Sequence, residues 1–155
     1  MNNTITKITE STPGSAFKFN ELYVGQTVTR QITFTEKQLD EFINLSGDMA
    51  TIHVDKNYAE SLGFMGRVVH GHLAISPFSG MIGMHLPGEG CVIRNHNFQF
   101  RQALYCGEKL LYSLRIDNLR ESFQLIELTM TVTGERGLLI SGQSQCLLGF
   151  PKTKE

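Results

Sequence analysis

Apolar and polar positions follow two different rhythms along this chain. In LIELTMTV, Ile126, Leu128, Met130 and Val132 fall on one side and Glu127, Thr129 and Thr131 on the other, the period of a half-covered strand. EKLLYSLRIDNL repeats the pattern with Leu110, Tyr112, Leu114 and Ile116. CVIRNHNFQFR, from Cys91 to Arg101, sets Asn95, Asn97 and Gln99 against Phe98 and Phe100, and Leu138 to Leu148 supplies a last strand. Near the N-terminus QTVTRQITF, Gln26 to Phe34, alternates and is rich in β-branched residues. The rhythm then becomes helical. Thr35 with Gln38 forms a capping box, and Leu39, Phe42 and Ile43 line one face of a helix that ends near Gly47. Asp55 can cap a short helix through Tyr58, Ala59 and Leu62 that Gly63 terminates. The segment His70 to Leu86, HGHLAISPFSGMIGMHL, is apolar on most sides and reads as a buried helix, with small residues that admit close approach of other backbone.

One strand, two helices, a buried helix and four strands make an α+β order, with helices on one face of an antiparallel sheet. A curved sheet around a single long helix satisfies it. Residues 1–15 lack periodicity and read as a flexible leader, 16–151 as a single domain, and 152–155 as a charged tail.

Composition narrows the function without naming it. At 155 residues with 41% hydrophobic and 19% charged positions the chain has one ordinary globular core. Fourteen basic and 15 acidic residues give a formal net charge of −1, with no Lys/Arg stripe, which argues against nucleic acid as a partner. No apolar run approaches the ~20 residues of a membrane span, and Met1 to Ser15 has no signal-peptide core, so a cytoplasmic chain without membrane contact is expected. Cys91, Cys106 and Cys146 are odd in number and far apart, which argues against a disulfide framework.

The chemistry-bearing stretch is LSGDMATIH. Asp48 follows the end of the first helix, where the helix dipole disfavours a carboxylate, and His53 comes five residues later in a loop. Alone, Asp48 reads most simply as a turn residue bonding its own backbone, and His53 as a satisfied histidine. Together they are the parts of an acid/base pair. The third element is HGH, His70 to His72, at the start of the buried helix, where Gly71 would expose a free backbone N–H to a developing oxyanion. A metal site built from Asp48, His53, His70 and His72 has suitable ligand types but no spacing signature. Ser76 has no nucleophile elbow around it and reads as a lining residue. Pro77 should kink the helix.

LSGDMATIHVD, with RVVHGHLAIS, the SG of FSGMIG and LPGEG, resembles the MaoC-like dehydratase family, and within it the R-specific enoyl-CoA hydratases of hot-dog fold. The likeness runs from about Phe34 to Phe150. It implies that Asp48 and His53 activate a water for addition to a 2-enoyl thioester carried by coenzyme A or an acyl carrier protein, or run the reverse dehydration. It also implies that the Gly71 N–H binds the thioester oxygen, that Ser76 and His72 contact substrate, and that no cofactor or metal takes part. A homodimer is expected by the same analogy, and Arg67, Arg94 and Arg101 are the cations to examine for carrier phosphates. Where the family has Asn-Pro this chain has Ala50 and Thr51, which should loosen the loop by about 0.4–1 kcal/mol. Val68 and Pro77 are further departures. Two other readings stay open: a non-catalytic acyl-thioester-binding protein, and a hot-dog thioesterase, whose usual helix carboxylate His70 to Leu86 lacks.

Overall fold

The strand with the cleanest alternation defines the core: Ile126, Leu128, Met130 and Val132 are all buried, as are Leu110, Tyr112, Leu114 and Ile116 on the neighbouring strand. The computed structural model describes residues 5–149. In chain order it contains β1 (Ile5–Ile8), β2 (Thr27–Ile32), α1 (Glu36–Ser46), α2 (Thr51–Val54), α3 (Lys56–Ser61), α4 (Gly71–Met84), β3 (Cys91–Phe100), β4 (Leu110–Arg120), β5 (Leu125–Gly134) and β6 (Gly137–Leu148). The six strands form one sheet in the order β1-β2-β4-β5-β6-β3. The apolar face of α4, Ala74, Phe78, Met81 and Ile82, joins the inward residues of β2, β4, β5 and β6 in a single cluster. This is the hot-dog arrangement of sheet around helix. Gly142 on β6 stands opposite Phe98 on β3, and a Cβ there would collide with the Phe98 ring. The glycine thus lets Phe98 reach the core, where it stacks on Phe78 at 5.8 Å.

The local signals act as their chemistry requires. Thr35 Oγ1 accepts from the Gln38 N–H while the Gln38 side chain accepts from the Thr35 N–H, and Gly47 closes α1 in the left-handed region at φ 71°. Asp55 Oδ1 accepts from the Tyr58 N–H and caps α3. Pro77 inside α4 has no N–H for the carbonyl of Leu73, one turn back. The Ser76 hydroxyl donates to that carbonyl at 2.8 Å, and the buried Tyr112 hydroxyl donates to the next one, Ala74, at 2.7 Å.

Three expectations need correction. The leader is not free of structure: Ile5–Ile8 pair in parallel with Thr27–Arg30, which makes the sheet mixed rather than wholly antiparallel, and Ile8 enters the core. Further on, Ser15 N–H donates to Met84 and Ser15 O accepts from Glu89, so residues 9–15 are tied at both ends. Secondly, α4 is buried on one face only. His72, Ser76, Ser79 and Gly80 are exposed, and neither Gly80 nor Gly83 has a neighbour within 4 Å of where a Cβ would stand. Thirdly, His53 lies on the one-turn helix α2 rather than in a loop. Residues 1–4 of the leader and the tail 152–155 lie outside the described residues.

Candidate active site

Asp48 serves two purposes with its two carboxylate oxygens. Oδ1 accepts from the Ala50 N–H at 3.1 Å, the turn that the simpler reading of this residue predicts. Ser46 holds the start of that turn, its hydroxyl donating to Phe42 O and accepting from the Asp48 N–H. Oδ2 is left to face two imidazoles, 4.0 Å from His53 Nε2 and 3.8 Å from His70 Nε2. The Asp48 side chain is 50% exposed, so the carboxylate remains open to an incoming molecule.

His53 is fixed from behind. Its Nδ1 lies 2.7 Å from Val68 O. A carbonyl only accepts, so Nδ1 carries the hydrogen and the neutral ring keeps its lone pair on Nε2, toward Asp48. The backbone on the same side is clamped by Arg67, whose Nε donates to His53 O at 2.7 Å while its two Nη atoms reach Glu36 at 2.8 Å and Asp40 at 2.5 Å. The fork ties α2 to the first turns of α1. Arg67 is therefore committed within the chain and is not available as a carrier-phosphate contact.

His70 completes the group. Its ring is 2% exposed, stacks on His53 at 3.7 Å with 24° between planes, and contacts Phe42 at 5.1 Å. Nε2 donates to Asp48 O at 3.0 Å, which pins the backbone that carries the carboxylate. Gly71 follows as the first residue of α4, where a backbone N–H has no partner within the helix. None of the hydrogen bonds among the described residues supplies it with one. A Cβ at position 71 would stand 3.0 Å from Phe100 Cζ, so glycine keeps this approach open. His53, Gly71, Ala74 and Phe100 line a common cleft of 260 Å³ with Arg101 and Leu104.

Among the described residues, Asp48, His53 and His70 are the one set of His, Cys, Asp or Glu side chains close enough to share an ion. Their geometry suits hydrogen bonding better. Nearly parallel stacked rings direct their in-plane lone pairs side by side instead of to one point, and His70 Nε2 is already a donor. A free N–H, an imidazole with its lone pair oriented and a carboxylate oxygen can together move a proton beside a stabilised oxyanion.

Asp48, His53 and Gly71 thus come together. Ser76 and His72 do not join them: Ser76 lines a different cleft and satisfies the Leu73 carbonyl, and His72 is exposed and lines neither. The part of His70 in orienting Asp48 was not foreseen from the sequence. Its only signal there is a histidine at an N-cap position, where a residue that caps with its own side chain is usual.

Residues 20–136 match the family described as MaoC like domain. The chain belongs to that family. The MaoC-like chain is 29% identical over 124 residues to the (R)-specific enoyl-CoA hydratase of Aeromonas caviae, covering 79% of this chain and 92% of that one. The solved structure of the A. caviae (R)-hydratase superposes with a TM-score of 0.78, over 82% of this chain and 97% of that one. A mitochondrial 3-hydroxyacyl-[acyl-carrier-protein] dehydratase of Arabidopsis thaliana is 31% identical over 101 residues, 65% of this chain and 60% of that one. No helix among the described residues is long and apolar enough to cross a membrane.

Proposed function

We propose that this MaoC-like chain is a hydratase/dehydratase that adds water across the double bond of 2-enoyl thioesters to give (R)-3-hydroxyacyl thioesters, or removes it in the reverse direction. The observation that carries the assignment is the oriented lone pair of His53 Nε2, 4.0 Å from Asp48 Oδ2 and in one cleft with the unpaired N–H of Gly71. A water bridging Nε2 and Oδ2 gives its oxygen to C3 of the enoyl group and its proton to this pair. C2 gains a proton from the same groups as the C–C double bond is lost. Between the two transfers negative charge gathers on the thioester oxygen, and the Gly71 N–H would stabilise it by donating a hydrogen bond to that oxygen. His70 acts as a positioning residue through Asp48.

The carrier is coenzyme A or an acyl carrier protein, since relatives bearing each name occur. The expected partner is a second copy of this chain. Its supports are the outer edge of β3, which pairs with no strand among the described residues, the small-residue face of α4, which is exposed among them, and an Asp48 that stands half open in a single copy. A thioesterase is disfavoured by α4, which carries no Asp or Glu.

Crotonyl thioesters of both carriers, assayed with wild type, Asp48→Asn and His53→Ala, test the reading. Hydration should fall at least about a hundredfold in each variant, the usual worth of a positioned acid/base group. Turnover that survives both substitutions would remove the assignment, and tight thioester binding without turnover by wild type would make the chain an acyl-binding protein.

A further inference from the structure

A second, larger cleft of 530 Å³ lies on the opposite side of the first turns of α4. Gly71 and Ala74 face the catalytic cleft, whereas Leu73, Ser76 and Pro77 face this one. Its walls include Phe34, Phe42, Leu45 and Leu73, and its volume is within the ~300–1,000 Å³ usual for small-molecule sites. One wall of this cleft touches the acid/base group. Phe42 packs on His70 at 5.1 Å, and Leu45, three residues before Asp48, is exposed beside it.

This cleft is also lined by a residue from a part of the chain that the family match does not include. Glu10 lines the cleft with Arg30, yet the match begins at residue 20. Glu10 is held in a turn by Thr9 and Thr12, where the Thr9 N–H donates to Thr12 Oγ1 at 2.8 Å and the Thr12 N–H to Thr9 O at 3.1 Å. On one side of that turn β1 is laddered to β2. On the other, Ser15 donates to Met84 O at 2.7 Å and accepts from the Glu89 N–H at 2.8 Å. The segment is therefore a fixed strap laid against the cleft.

On the basis of the hydratase reading, we infer that this cleft receives the acyl chain of the substrate and that the N-terminal strap, through Glu10, sets the longest chain it accepts. The strap puts a carboxylate where a longer hydrocarbon would have to pass. Burying that hydrocarbon against a charged group is unfavourable, whereas shorter chains end among Leu45, Leu73 and Phe42.

Glu10 is exposed and lies outside the catalytic group, so substitutions there leave the acid/base machinery intact. Wild type, Glu10→Trp and Glu10→Gly are compared on crotonyl, octenoyl and dodecenoyl thioesters, with kcat/KM as readout and thermal melts to confirm folding. Crotonyl turnover should be equal in all three. Glu10→Trp should lower the dodecenoyl-to-crotonyl ratio by about tenfold, the worth of roughly two buried methylenes, and Glu10→Gly should raise it by a similar factor. Ratios equal to wild type in both folded variants overturn the strap as a length limit while leaving the hydratase reading in place. Wild type inactive on every thioester would instead remove the hydratase reading itself.

Discussion

Thr51→Pro tests how the loop between Asp48 and His53 is held. Thr51 is the first residue of α2, and its N–H appears in none of the hydrogen bonds among the described residues. This is the helical position where proline costs no donor and its fixed φ is already suited to the helix. The preceding residue meets the other demand of proline: Ala50 has φ −53° and ψ 135°, the extended conformation that a following proline ring imposes. The Thr51 side chain is exposed, so little packing is lost. The gain is then the conformational entropy removed from the unfolded chain, about 0.4–1 kcal/mol. At about 2–4 °C per kcal/mol for a chain of this size, Tm should rise by about 1–4 °C. Calorimetry or a thermal melt monitored by circular dichroism measures it, with crotonyl-thioester hydration assayed alongside and expected at or above the wild-type rate. A lowered Tm would refute the reasoning, because it would mean that position 51 needs its N–H or another φ.

Tyr112→Phe removes the hydroxyl that serves the Ala74 carbonyl next to the proline site of α4, and urea unfolding should show a loss of about 1–3 kcal/mol. Arg67→Lys keeps the charge but cannot reach His53, Glu36 and Asp40 at once, so kcat should drop more than KM rises; equal kcat would show that the clamp does not orient His53. His85 is held below the ordinary imidazole pKa, chiefly by burial and further by the charge of Arg30. As pH falls through about 6.5 the unfolded chain takes up a proton before the folded one, so this contribution to stability is present near neutrality and lost on acidification. Urea midpoints followed from neutral to mildly acid pH should therefore fall less steeply in His85→Gln than in wild type, and identical slopes would count against this account.

Much of the fold was legible because its signals are local. β4 and β5 alternate since one face of each is covered by α4, and the Thr35 and Asp55 caps need only residues within one turn. β1 escaped because four residues with a single buried side chain carry no period, and their partner lies beyond the next turn of chain. α2 is too short to be stable by propensity; the Val68 bond and the Arg67 fork hold it, and both come from a later segment. Of the residues that meet in the candidate site, Asp48, His53 and Gly71 could be named from motif order. His70 depends on the chain returning 22 residues later to place its ring under Asp48, a meeting no spacing encodes. Ser76 shows the reverse: a motif match whose hydroxyl, in this chain, serves a carbonyl that Pro77 cannot.

The strand order also dictates when the site can exist. β4, β5 and β6 are successive antiparallel neighbours, able to pair as soon as they are made, whereas β2 must find β4 and β3 must find β6. Everything from Glu36 to Met84, with Asp48, His53 and Gly71 in it, lies between β2 and β3. Although β2 pairs with the earlier β1, it joins the rest of the sheet only through β4, as β3 does only through β6, both made later. The segment can therefore be enclosed by the sheet only after β4 and β6 have been made, whatever turns and caps it forms locally before then.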